Sequence, residues 1–521
     1  MSKKQPNILM IVTDQQRANT IAAVGDPMIK TPNLDRLVKR GVAFRRAYTV
    51  CPVCAPTRGS ISTGVPPHEV GSADNCGHAE VNVPDFASML KAAGYETRGY
   101  GKSYDCFAPG KGEAQWRGFD EWLAWKHYNS WWEKLGFDYL PCARQGGSEY
   151  YYIPSMQPYP EKYSRSAWLT QHCVDYLNQR QEGDKPFLLC AHFGEPHPGW
   201  NVPYPWSHLY RGNEMPHPIR PANYREYQCR ANRFQNRYKW MEDTVKGDDT
   251  FLRIIRAAYY GTVSYVDWKV GQILEALGDE IDKTLIIFTT DHGEMLGDYG
   301  CVGKRCMMEG AVRVPLLASL PGFLPEGKEC RAAASLVDIM PTICEAAGLE
   351  TPPLSEGISL TKVAEMEAGE RIVFSQFSRD WNGQYFAADG NRTYWYSAAD
   401  KREWTFAVDD ELKQGPILPM DERAKELKQA LIDRHRDEPF SHAVEGDDWK
   451  EHDIPDNPLE TDPDYGYLFA EPKAKIQADV DALGPEYARK VIDIGHGHPM
   501  AEHMVPLTRE EQEEWKERQK S

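Results

Sequence analysis

Two kinds of residue in this chain have the type and spacing for chemistry: a close cysteine pair, and polar residues that abruptly end apolar runs. The pair is Cys51 and Cys54 in "CPVCAPTRGSISTG". A C-x-x-C spacing fits a redox dithiol near a compact βαβ unit, or half of a zinc site. Neither accounts for the residues that follow, "APTRGSISTG". Zinc needs four N or S ligands, and the other close pair, Cys301 and Cys306 in "CVGKRC", is separated by four residues. The plainest alternative for either cysteine is a buried free thiol. Among the apolar runs, "NILMIVTD" closes on Asp14, "PFLLCAHFGEPH" on His197, and "TLIIFTTDHGE" on Asp291 and His292. A hard-oxygen metal needs carboxylates that converge from separate segments in this way.

Cys54, Pro56 and Arg58 also satisfy C-x-P-x-R, and Thr63-Gly64 completes the run; Cys51 does not, because Val53 stands where the proline is needed. This pattern resembles the signature of the type I sulfatases of the alkaline phosphatase superfamily, in the branch near arylsulfatases and phosphonate monoester hydrolases. The resemblance extends over roughly residues 6 to 350, with a looser match beyond.

The resemblance implies that Cys54 is oxidised to formylglycine (3-oxoalanine) by a separate maturation enzyme. The hydrate of that aldehyde carries two hydroxyls on one carbon; one attacks sulfur or phosphorus in a covalent mechanism and the other expels the product. Pro56 would stand at a helix start, where its missing N–H is harmless, and a helix N-terminus favours an anion. Arg58 would hold formylglycine oxygens or carboxylates with its planar fork. By the same resemblance Asp14, Asp291, His292 and residue 54 bind one divalent metal. Gln15 stands where many sulfatases carry a second aspartate, and His292 where many carry asparagine. One fewer carboxylate and one imidazole shift the preference from Ca²⁺ towards Mn²⁺ or, less well, Zn²⁺. Gln15 is accordingly a weak ligand candidate.

Lys102 in "YGKSYD" and Lys304 in "VGKRCMMEG" match the family's two anion-holding lysines, and His197 matches a histidine that contacts substrate and protonates the leaving oxygen. "GYGKS" is not a phosphate loop, since Glu96 occupies the place of its first glycine. His192 reads as core or support. Tyr104 replaces a histidine often assigned to breakdown of the covalent intermediate; a phenol is a poor base at neutral pH. Asn75 in "SADNCGH" lies where phosphonate-hydrolase relatives carry an asparagine near the transferred group, and it also suits a simple turn. The implied substrate is a small-molecule organic sulfate monoester, with a phosphonate monoester or phosphodiester as the alternative.

These residues need a scaffold. Continuous Ile/Leu/Val runs, with "VRVPLLASLPG" a fourth, fit strands buried on both faces of a parallel sheet. Helical patterns lie between them: "TPNLDRLVKRG", with Thr31 to cap and Gly41 to terminate, and "YYGTVSYVDWKVGQILEALG". The expected fold is α/β, a large mostly parallel sheet sandwiched by helices, with ligands beyond the carboxyl ends of its strands. Residues 1–369 are read as this catalytic domain. Residues 370–521 are read as a smaller α+β domain with an antiparallel sheet, built on "RIVFSQFSRD", "QYFAADGNRTYWYSA" and "REWTFAVDD", followed by a charged tail ending "TREEQEEWKERQK". The Tyr/Trp-rich stretch from about Trp200 to Asp249, with its aromatics between Tyr204 and Trp240, reads as an insertion near the mouth of the site and a wall for an aromatic or sugar ring.

Bulk properties narrow the classes. In 521 residues, 60 basic against 77 acidic side chains give a net charge of −17, which argues against a nucleic-acid footprint. An anionic substrate must then meet a local basic cluster. Twelve scattered cysteines make no disulfide framework. The opening "MSKKQPNILMIVTD" has no cleavage site, and no apolar run is membrane-length. The expectation is a cytoplasmic homo-oligomer that binds neither membrane nor nucleic acid.

Overall fold

A computed structural model describes residues 5–75, 83–102, 118–136, 152–238, 241, 244 and 246–453. The central sheet contains eight strands: β1 (Asn7–Thr13), β2 (Val42–Phe44), β3 (Glu96–Gly101), β4 (Glu121–Leu123), β5 (Phe187–His192), β6 (Thr284–Thr290), β7 (Leu316–Ser319) and β8 (Lys328–Cys330). Their order across the sheet is β8-β2-β7-β6-β1-β5-β3-β4. From β6 to β4 every pairing is parallel, so five strands deliver their carboxyl ends to one edge.

The apolar runs are continuous because both faces are covered. Ile8, Met10 and Val12 of β1 point into one layer, with Ile61 of α2 (Cys54–Thr63), Phe86 and Leu90 of α3 (Phe86–Ala92), and Ile339 and Ile343 of α6 (Ile339–Ala347). Leu9 and Ile11 point into the other, with Leu34 and Leu37 of α1 (Pro32–Arg40), Trp168 and Leu169 of α4 (Arg165–Gln179), and Val266, Val270 and Ile273 of α5 (Thr250–Ala276). Strand side chains alternate between faces, and each fully buried aliphatic chain contributes roughly 1.5–3 kcal/mol.

Three details depart from the sequence expectations. The fourth run splits at Pro315, and its strand β7 runs antiparallel to β6 and β2, so it brings no carboxyl end to the site. Thr31 precedes α1 but its hydroxyl does not cap it; Oγ1 accepts from Ala22 N–H at 2.8 Å and bonds Asp35 instead. Gly41 does end the helix, donating to Leu37 O. The aromatic stretch is mainly packing rather than a ring-binding wall: Trp206 lies on Tyr265 and Trp268 of α5, Tyr210 on Tyr260, and Trp200 between Tyr152 and Tyr259. Tyr204 is 70% exposed, and Trp240 lies outside the described residues.

Beyond residue 370, β9 (Val373–Phe377), β10 (Gln384–Ala388), β11 (Arg392–Ser397) and β12 (Arg402–Ala407) form an antiparallel meander. It is covered by α7 (Glu422–His435), which packs Leu427, Leu431 and Ile432 on Tyr385, Tyr394 and Tyr396. Asp421 caps α7 by accepting from Ala424 N–H at 2.9 Å. No helix among the described residues is long and apolar enough to cross a membrane. The charged C-terminal tail falls outside the described residues.

Candidate active site

Register builds the first half of the site. β1 and β6 run parallel with Thr13 opposite Thr290, so the next residue of each strand, Asp14 and Asp291, emerge side by side. Asp291 Oδ1 accepts from the backbone N–H of Gln15 at 3.1 Å and of His292 at 3.0 Å. His292 Nδ1 lies 3.1 Å from Gly293 O; a proton there leaves the Nε2 lone pair to face the cluster. That Nε2 stands 3.2 Å from Cys54 Sγ, 3.7 Å from Asp14 Oδ1 and 3.5 Å from Asp291 Oδ1. Cys54 Sγ is 3.8 Å from Asp14 Oδ1. One ligand atom from each of Asp14, Cys54, Asp291 and His292 fits within 4.8 Å of all the others.

This donor set fits a divalent cation. Two carboxylates and a neutral imidazole are packed together with almost no solvent, and Asp291 Oδ2 is buried without a hydrogen-bond partner. Burial, and next the charge of Asp14, push the Asp291 carboxyl up to about 6. Burial, and next Lys304, keep His292 neutral well below its usual value. Asp14 is the reverse: burial would raise it, but Lys102, His197, Lys304 and His292 together hold it well below the usual carboxylate range.

Cys54 opens α2, whose first turn contains Pro56, where a backbone N–H has no partner inside the helix. The helix has no cap from its own N-cap residue, Val53; Asn75 supplies one from outside, its Oδ1 accepting from Ala55 N–H at 2.9 Å. Gly64 ends α2 at φ 72°, and a Cβ there would strike Ser355 Oγ and Met340 Cβ. That accounts physically for the last glycine of the motif. Arg58 lies one turn along, its Nη1 4.0 Å from Asp14 Oδ2. The encoded Cys54 is a poor nucleophile, since burial and then Asp14 push its thiol up to about 11. Its Sγ marks where the oxygens of a modified residue 54 would begin.

The second half is cationic. Lys102 follows β3 and pairs with Asp14 Oδ2; burial alone would lower its pKa, but Asp14 and Cys54 raise it. Lys304 Nζ stands 3.1 Å from Cys54 Sγ and 2.9 Å from Gln15 Oε1. His197, five residues past β5, is close enough for its charge to act on Asp14 and His292. Its segment is tied in by Asp14 N–H donating to Glu195 O at 3.2 Å.

The structure therefore brings together Asp14, Cys54, Arg58, Lys102, His197, Asp291, His292 and Lys304, with Asn75 at the helix start. Tyr104 lies outside the described residues. Gln15 points its oxygen at Lys304, accepting from Nζ at 2.9 Å. His192 is buried, edge-on to Trp122 at 5.4 Å, and its backbone carbonyl accepts from Lys102 N–H. Cys51 takes no part in a zinc-like group among the described residues; its thiol faces Ala73 O at 3.6 Å. Sequence reading missed Glu294, Tyr152 and Gln235. The carboxylate three residues beyond Asp291 was the available signal for the first. A second group, His68, Glu69 and Glu356, has donor spacing too, but Arg434 already pairs with Glu356 and leaves little negative charge for a cation.

The chain is similar to known proteins in sequence and in fold. The sulfatase family model matches residues 6–349. An arylsulfatase of Clostridium perfringens is 28% identical over 470 residues, covering 82% of this chain and 94% of its own. A multifunctional alkaline phosphatase superfamily protein, PehA of Trinickia caryophylli, is 30% identical over 403 residues, covering 68% and 76%. Among solved structures, the phosphonate monoester hydrolase of Silicibacter pomeroyi superposes with a TM-score of 0.69 at 24% identity, over 86% of this chain and 100% of that one.

Proposed function

The chain belongs to the sulfatase family and is a sulfuric ester hydrolase, and from that premise we propose that it cleaves an organic sulfate monoester at Cys54, converted to formylglycine by a maturation enzyme. The observation that carries the reading is the buried convergence of Asp14, Cys54, Asp291 and His292 with Lys304 Nζ against Cys54 Sγ. Formylglycine supplies a hydrated aldehyde, an oxygen nucleophile that the raised thiol of Cys54 cannot replace. A divalent ion, Ca²⁺ or Mn²⁺ before Zn²⁺, would be held by Asp14, Asp291, His292 and residue 54 and would supply Lewis-acid charge stabilisation.

The chain's own groups do the rest. Lys304 and Lys102 reach the non-bridging oxygens of the bound anion, countering a net charge of −17 with local positive charge. Lys102 pairs with Asp14 in the free protein, so its ammonium is already held beside the reacting centre. Arg58 braces Asp14 from the α2 side, and the α2 N-terminus adds its dipole. His197 donates a proton to the leaving oxygen, a step that avoids expelling a free alkoxide.

A second reading, hydrolysis of phosphonate monoesters or phosphodiesters at the same centre, is favoured by Gln15 beside Asp14 and His292 beside Asp291. These esters and sulfate monoesters are all singly charged around a tetrahedral centre, so the charge of the site admits both. Assay of a sulfate and a phenylphosphonate ester of the same phenol separates them. The proposal expects the higher kcat/KM for the sulfate; a higher value for the phosphonate would replace it with the second reading.

A further inference from the structure

Lys304 is held in place by a carboxylate outside the cation cluster. Glu294 is fully buried. Its Oε1 accepts from the backbone N–H of Leu296 at 3.0 Å and of Gly303 at 2.6 Å. Its Oε2 accepts from Tyr152 OH at 2.7 Å and from Gln15 Nε2. Four donors thus fill a carboxylate that can only accept.

Two of these bonds bear on Lys304. Gly303 immediately precedes it, so Oε1 fixes the lysine at its backbone end. At the ammonium end the link runs through Gln15. The two ends of an amide are nearly alike in shape, and its orientation follows its neighbours. Glu294 can only accept, so it demands the Gln15 nitrogen. Lys304 can only donate, so it demands the Gln15 oxygen, which it finds at 2.9 Å. We propose that Glu294 is a positioning residue that sets the Lys304 ammonium against residue 54, by fixing the orientation of Gln15 and the 303–304 backbone. The inference rests on the reading of Lys304 as an anion-holding group. A glutamine at 294 would keep the volume and remove the reason for Gln15 to face one way. The loop would keep its second tie, since Lys304 N–H also donates to Gln235 Oε1 at 3.2 Å.

A double-mutant cycle tests this with protein matured alongside a formylglycine-generating enzyme and supplied with Mn²⁺. The readouts are kcat/KM on an aryl sulfate, the inhibition constant of inorganic sulfate, and the melting temperature. Lys304→Ala should lose on the order of 10²–10³-fold in kcat/KM, and Glu294→Gln about 10-fold, with sulfate inhibition weakened in both. The double variant should be no worse than Lys304→Ala within about 2-fold, because coupled groups fail to add. Additive losses, or Glu294→Gln at wild-type activity, would overturn the inference and leave the lysine reading intact. Lys304→Ala at wild-type activity would remove the lysine reading and the inference with it. If Glu294→Gln melts too low to assay, Tyr152→Phe removes one donor and keeps the carboxylate. A loss of about 3-fold that vanishes in the Lys304→Ala background supports the inference; an additive loss or none contradicts it.

Discussion

The cation half and the anion half of the site are built by different kinds of structure. Asp14 and Asp291 follow adjacent parallel strands, and a ladder with Thr13 opposite Thr290 fixes their separation. Lys304 lies in a loop with left-handed residues, Gly303 at φ 82° and Arg305 at φ 67°. That loop is located by side chains from distant segments, Glu294, Gln235 and Gln15. A strand register is shared by seven residue pairs, so one substitution cannot move it, and damage to the cation half acts through the ligand removed. The loop depends on a few hydrogen bonds, so damage around Lys304 should be graded and transmissible, whereas Lys102 follows β3 and is held by the sheet.

The largest effect should come from the cation half. Asp291→Asn keeps the shape and removes one of two carboxylates, and should lower kcat/KM by at least about 10²-fold. It should also abolish the rise in melting temperature that a divalent ion gives the wild type, a rise worth about 2.7 kcal/mol at a hundredfold excess over Kd. Retained stabilisation would move the ion elsewhere.

The same pair predicts a pH dependence. The folded, metal-free protein holds the Asp291 proton up to about pH 6, above the ordinary carboxylate value of 3.8. Between those values the folded state binds more protons than the unfolded one, so this group lowers stability as pH rises through the window. The ion competes for the same oxygens. Its stabilisation should be full above about pH 6 and fade as pH falls through it. Melting curves with and without Mn²⁺ across that range would read this, and an ion effect independent of pH would contradict it.

The smallest effect belongs to the helix start. Asn75→Ala removes the oxygen that caps Ala55 N–H and should lower stability by about 1 kcal/mol, with a modest loss of turnover. A loss as large as that of Asp291→Asn would mean that Asn75 touches the substrate.

The cation half was legible because its residues end apolar runs, and because C-x-P-x-R marks Cys54 apart from Cys51. The anion half was legible only as isolated lysines. The partners of Lys304 are separated from it by many residues, and a hydrogen bond between Gln15 and Lys304 leaves no periodic trace in the chain. The antiparallel turn of β7 was hidden for a related reason: Pro315 interrupts a run whose composition matches its parallel neighbours. Thr31 shows the limit of cap reading, since its hydroxyl found a better partner in Asp35 and the 22–24 turn. The aromatic stretch misled because composition carries no direction: Trp206 and Tyr210 turn towards α5, and Tyr227 towards Tyr299 and Phe406.

The proposed chemistry requires that Cys54, and not Cys51, becomes the nucleophile. The most direct test is the mass of the tryptic peptide 47–58, "AYTVCPVCAPTR", from protein made with a formylglycine-generating enzyme. The expected result is an aldehyde at Cys54, with Cys51 still a thiol open to alkylation. Two intact thiols, or a disulfide between them, in the presence of active maturation enzyme would contradict it.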